Sequence, residues 1–183
     1  MSRLPIPSTI EDAPVASQPL LQAVKKQVGA VPNLFRLVSN SPAALEGYLG
    51  LNGALAKGSL DAQTRERIAL AIGQVNSCAY CLSAHTYLGK ARSKLSDAEI
   101  AANRQGTSTD AKANAAVAFA VKIAKGRGQV SEADIAAVKD AGYSDAQVIE
   151  IVAHVALNTL TNYINEVFKT DIDFPVVDVK AAA

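Results

Sequence analysis

The sequence predicts an all-α protein. Three observations carry this. Helix-capping residues recur along the chain, apolar residues return at spacings of three and four, and strand patterning is nearly absent before Phe174-Pro175-Val176-Val177, a segment that itself contains proline.

Met1 to Pro19 holds Pro5, Pro7, Pro14 and Pro19, so residues 1–19 form an extended arm that packs on the body or on another subunit. Leu20 to Val28 is a short helix ended by Gly29. Val31 to Val38 turns into a second short helix. Ser41-Pro42 is a helix start with proline at the first helical position. That helix runs to about Lys57, stops at Gly58, and carries Leu45, Tyr48, Leu49, Leu51 and Leu55 as an apolar stripe.

Asp61 to Val75 is the next helix. Asn76-Ser77 breaks it and caps a new one, with Cys78 in the first turn and the end at Gly89. Ser96-Asp97-Ala98-Glu99 reads as a capping box, Ser131-Glu132-Ala133-Asp134 as a weaker one. Thr109 and Asp110 open a helix that ends at Gly126. Ser144-Asp145-Ala146-Gln147 opens a long helix to about Lys169. The reading gives one helical domain over residues 20–170 and a tail over 171–183.

An internal repeat also suggests itself. Asp61 to Glu66 resembles Asp145 to Glu150, an offset that pairs Glu66 with Glu150, Cys78 with Asn162 and Cys81 with Asn165. The second copy would keep the glutamate and lack the thiols.

The 183 residues suffice for one well-buried core, and 49% hydrophobic with 19% charged residues is ordinary for a globular chain. A net charge of +1 with no block of like charge argues against nucleic acid or a polybasic membrane anchor. The N-terminus lacks a signal-peptide pattern, and the apolar runs near Ile68–Val75 and Val148–Leu157 are too short to span a bilayer. The expected compartment is the cytoplasm. There a C-x-x-C stays mostly reduced and reads as redox-active or metal-binding rather than as a staple.

The chemistry concentrates in Glu66 to His85, which contains both cysteines. On a helix Cys78, Cys81 and His85 fall within an arc of roughly 60°. Cys78 and Cys81, one turn apart at roughly 5 Å between Cα atoms, can form a disulfide. A helix N-terminus favours a thiolate. The pair reads as a redox dithiol, against the alternative of two small core residues. His85, one turn past Cys81, can accept the thiol proton. Glu66 is placed to act as a base beside the dithiol, or simply to pair with an arginine. Tyr80, between the cysteines, either tunes the thiols or packs. His154 lies in a polar stripe with Gln147, Glu150, Asn158, Thr161, Asn162 and Asn165. That stripe is either the wet face of its helix or the backing of the site or of a subunit interface. A zinc site of Cys78, Cys81, His85 and His154 is the competing metal reading, and a metal-binding helical module the competing function from another class.

The pattern Glu66, eleven residues, Cys78-Ala79-Tyr80-Cys81, three residues, His85 resembles the alkylhydroperoxidase AhpD-like branch of the carboxymuconolactone decarboxylase family. Val31-Pro32-Asn33-Leu34-Phe35, the Ser41-Pro42 helix, Ala118-Phe119-Ala120 and Gly142-Tyr143-Ser144-Asp145 add to the likeness, which covers roughly Pro32 to Asn165. The resemblance implies an all-helical homo-oligomer, commonly a trimer or hexamer, and a thiol peroxidase using neither haem nor metal. It implies that Cys81 attacks a hydroperoxide, that Cys78 resolves the sulfenic acid, and that Glu66 and His85 relay protons. The best-known branch has a second histidine where this chain has Tyr80, and is reduced through a lipoyl-bearing protein. A lipoyl or thioredoxin-like dithiol is the corresponding reductant here. Thiol–disulfide exchange or redox sensing without peroxidase turnover is the alternative within the same chemistry.

Overall fold

A computed structural model describes residues 1–182, and among these no strand occurs. Nine α-helices follow one another: α1 (Gln18–Val28), α2 (Asn33–Val38), α3 (Pro42–Leu55), α4 (Ala62–Val75), α5 (Ala79–Ala91), α6 (Asp97–Arg104), α7 (Ala111–Gly126), α8 (Glu132–Asp140) and α9 (Asp145–Phe168). Short 3-10 turns lie at Val15–Ser17 and Val179–Ala182.

Most helices begin on the side chains that the sequence marks. Ser41, Asp61, Ser96, Asp110, Ser131 and Ser144 each accept a backbone N–H at their helix N-terminus. Ser131 and Ser144 close full capping boxes with Asp134 and Gln147. Gly29 ends α1 at φ +90°, and Lys169 ends α9 in the left-handed region.

Three boundaries and one cap differ from expectation. α1 starts at Gln18, inside the supposed arm, because Pro19 is tolerated in a first turn. α3 stops at Leu55 rather than near Lys57. α5 runs through Gly89 to Ala91. There Gly89 serves as a close-approach face: a Cβ on it would meet Leu95 at 3.4 Å and Glu66 Cγ at 3.6 Å. Ser96 caps α6, but Glu99 does not return to it. Its carboxylate is taken by Arg67, Asn103, Ser108 and Thr109 instead.

α4 is the axis of the molecule, packed against α5, α6, α7 and α9. One core gathers Ile68 and Ile72 of α4, Phe119 and Ile123 of α7, and Ile151 and Val155 of α9. A second gathers Leu21, Leu34, Leu45 and the two cysteines. The arm packs on its own body: Arg3 binds the Val167 and Phe168 carbonyls, and Asn40 and Arg36 hold the carbonyls of Pro5 and Ser8. The tail straps α5, where Phe174 packs on Tyr80 and Tyr87, and the Val177 N–H donates to Ser83 Oγ.

The helix boundaries do not follow the internal repeat at its offset of 84. The offset pairs the cap Asp61 with Asp145, already helical, and α9 continues unbroken where α4 ends and α5 begins. Glu150 holds the Ser59 and Leu60 amides rather than a histidine. No helix among the described residues is long and apolar enough to cross a membrane.

Candidate active site

The α4–α5 junction builds the dithiol. Ser77 turns the chain at φ +54°, and the Cys78 N–H reaches back to the Gly73 carbonyl at 2.9 Å. Cys78 is therefore the N-cap of α5, not a residue of its first turn. Its Sγ accepts the Cys81 N–H at 3.2 Å. The two cysteines are joined as a disulfide with Cα atoms 5.3 Å apart.

Two environments separate the sulfurs. Cys78 is 0% exposed, and Cys81, 4% exposed, lines a cavity of about 350 Å³ between α4, α5 and α9. Asn165 of α9 donates from Nδ2 to Cys81 Sγ at 3.3 Å. The N-cap position favours a thiolate at Cys78 by an effect of about 0.3–1 kcal/mol. A hydrogen bond to a charged group is worth about 1.5–3 kcal/mol. Cys78 Sγ likewise accepts a backbone N–H, so what sets Cys81 apart is the Asn165 donor together with access to the cavity.

His85 follows Cys81 by one turn, and its Nδ1–H donates to Glu66 Oε1 at 2.7 Å. The carboxylate can only accept, so it fixes the tautomer and leaves Nε2 for proton exchange. Burial alone would lower the His85 pKa, but the charge and hydrogen bond of Glu66 outweigh it and hold the pKa above its ordinary value. Both residues line the Cys81 cavity. Glu66, Cys81 and His85 thus line one cavity, with Cys78 behind Cys81.

Tyr80 serves neither sulfur. Its hydroxyl donates to Asp173 Oδ1 at 2.8 Å and accepts the Leu34 N–H at 3.1 Å, tying the tail and α2 to α5. Burial, with the Asp173 charge adding, pushes its pKa upward. The polar stripe of α9 is not a wet face. His154, Asn158, Thr161, Asn162 and Asn165 are buried, and four of them line the cavity. Arg65, Asn52, Tyr48, Arg92 and Ser93 add to the polar lining, and the sequence marked none of them as a site residue. Asn165 was visible as one member of the stripe and as the repeat partner of Cys81, not as a donor to its sulfur. The Cys₂His₂ zinc set does not assemble: His85 Nδ1 is committed to Glu66, and no group of three or more His, Cys, Asp or Glu side chains within metal-binding reach occurs among the described residues.

Residues 42–125 match the carboxymuconolactone decarboxylase family model, a span that includes the dithiol, Glu66 and His85. The fold is similar to the crystal structure of an alkylhydroperoxidase AhpD core, an uncharacterized peroxidase-related protein from Ralstonia eutropha JMP134. The TM-score is 0.83 at 27% identity, over 94% of this chain and 92% of that one. The family match and this likeness together support an AhpD-like branch of the carboxymuconolactone decarboxylase family. Two further structures share the fold at lower identity. One is a peroxidase-related protein from Silicibacter sp. TM1040 (TM-score 0.79, 22% identical, 93% of this chain and 91% of that one). The other is the debrominase Bmp8 in complex with 2,3,4-tribromopyrrole (TM-score 0.77, 20% identical, 100% of this chain and 97% of that one). An uncharacterized protein of Haemophilus influenzae is 41% identical over 63 residues, 34% of this chain and half of that relative's length.

Proposed function

We propose that this AhpD-like chain is a thiol-dependent peroxidase acting on organic hydroperoxides. The observation that carries the reading is the placement of Cys81. Its sulfur lines a cavity shared with the His85–Glu66 pair, and Cys78 lies within disulfide reach behind it.

The cycle balances as a two-electron reduction. The Cys81 thiol gives its proton to the His85–Glu66 pair, and the thiolate attacks the terminal oxygen of the hydroperoxide. The O–O bond breaks. Cys81 becomes a sulfenic acid, and the leaving alkoxide takes the proton from His85 Nε2 to depart as an alcohol. The Cys78 thiol then displaces hydroxide from the sulfenic sulfur, releasing water and forming the Cys78–Cys81 disulfide. An external dithiol, lipoyl or thioredoxin-like, returns two electrons and two protons. A reducing cytoplasm suits such a cycle.

The exposed side of α9 supports self-association. Ile149 is 70% and Tyr163 59% exposed, and Val152, Leu160 and Val167 extend the same apolar surface. In this reading a second copy covers that face in a trimer or hexamer.

The test is chemical trapping. Reduced Cys78→Ser protein treated with one equivalent of cumene hydroperoxide and dimedone should carry the dimedone adduct on Cys81. An adduct at neither cysteine, or peroxide consumed equally by Cys81→Ser, would remove the assignment.

A further inference from the structure

The end of the cavity remote from the sulfur is built as a recognition site. α9 lines its length. Asn165 touches Cys81, and His154 lies eleven residues earlier, about 16 Å along the helix axis. The cavity is therefore elongated, and Ala69, Ala84, Leu88 and Leu157 give it apolar walls beside the polar Asn158 and Thr161 of α9.

Two groups at the remote end lack partners that their chemistry calls for. His154 is 5% exposed, yet its Nε2 is fully buried and has no hydrogen-bond partner. A buried unpaired imidazole nitrogen is costly unless something else supplies the bond. Arg65 of α4 lines the same space. It donates to the Leu55 carbonyl at 3.0 Å, and no carboxylate lies within ion-pairing distance of it among the described residues. Burial first, then the Arg65 charge, pushes the His154 pKa down to about 4, with the Glu150 carboxylate opposing the shift. Glu150, one turn before His154, is itself held by the Ser59 and Leu60 amides and the Ser59 hydroxyl. The site thus offers a guanidinium and a neutral imidazole to whatever enters.

We infer that Arg65 and His154 form a subsite for a carboxylate, which makes the substrate an elongated organic hydroperoxide with its carboxylate remote from the O–O bond. Arg65 supplies the charge and His154 an N–H donor, while the apolar walls take the carbon chain. This substrate class rests on the peroxidase reading; the anion subsite does not.

Equilibrium binding to the disulfide form separates the two, because it needs no turnover. Octanoate and octanamide are the probes, equal in length and different in charge. Octanoate should bind about tenfold tighter or more, the factor that one charge-assisted hydrogen bond supplies. Arg65→Gln should abolish the preference, and Arg65→Lys should keep part of it. Bound octanoate should also raise the His154 titration midpoint, followed by its imidazole NMR signals, whereas octanamide should not. Equal binding of the two probes, or a preference that survives Arg65→Gln, would overturn the subsite. Carboxylate-selective binding without peroxide turnover would overturn the peroxidase reading and leave the subsite standing.

Discussion

Asn165 of α9 points its amide Nδ2 at the Sγ of Cys81, 3.3 Å away, and so gives the cavity-facing sulfur a hydrogen-bond donor from across the bundle. A thiolate gains more from that donor than a thiol does, so the contact favours the charged form of a reduced Cys81. Replacing Asn165 with Leu should weaken that preference and move the alkylation of Cys81 to higher pH. The pH dependence of iodoacetamide alkylation, read at Cys81 by mass spectrometry, measures it. An unchanged midpoint would mean that Asn165 only packs against the sulfur.

The Glu66–His85 pair makes stability depend on pH with a definite sign. The His85 pKa is raised in the folded protein, so the pair's contribution is fully present below the unfolded histidine value of about 6.5 and is lost as pH rises through the folded value. Glu66→Gln should therefore cost more stability near pH 6 than near pH 9, as read from urea unfolding at both. It should also shift the alkaline side of the His85 NMR titration downward. A pH-independent difference would contradict the ion pair.

Glu99 holds the α4–α6–α7 corner. Burial alone would raise its pKa, but hydrogen bonds from Ser108, Thr109 and Asn103 overcome this and bring it to about 2. Arg67, itself mostly buried, donates to it at 2.7 Å. Glu99→Ala leaves that guanidinium uncompensated and should cost about 3–5 kcal/mol, measured by denaturant unfolding at pH 7. Because the pKa is depressed, this contribution is present above the unfolded glutamate value of about 4.3 and is lost as pH falls toward 2. A cost below about 1 kcal/mol would show the network to be dispensable.

The apolar side of α9 should be the self-association surface. Leu160→Glu places a charge in its middle, at a residue that is already solvent-exposed within one protomer. Light scattering should show the wild-type oligomer reduced to a monomer, with the helical content kept. An unchanged assembly would move the contact elsewhere.

Most of the fold was legible because caps are local. Asp61, Ser131 and Ser144 name their helix starts with a side chain three residues from its partner, and Asn76-Ser77 marks the one break that creates the dithiol. Glu99 misled for the same reason. A capping box and a buried acceptor look identical over four residues, and only the approach of Arg67 and Thr109 decides between them. The stripe from His154 to Asn165 shows a second limit. Its period puts these residues on one face, but whether that face meets water or a cavity depends on α4 and α5 across from it. The apolar residues of α9 that remain exposed complete the inversion. Arg65 gave no sign of lining the cavity, since an arginine on an amphipathic helix normally points to solvent.

The most direct measurement of the central claim is single-turnover peroxide loss. Reduced wild-type protein is mixed with stoichiometric cumene hydroperoxide in a stopped-flow instrument, and thiols are followed in parallel by mass spectrometry. The expected result is loss far faster than a free thiol gives, ending in one Cys78–Cys81 disulfide per peroxide consumed, and no such phase in Cys81→Ser. Loss no faster than a free thiol, with both cysteines still reduced, would contradict it.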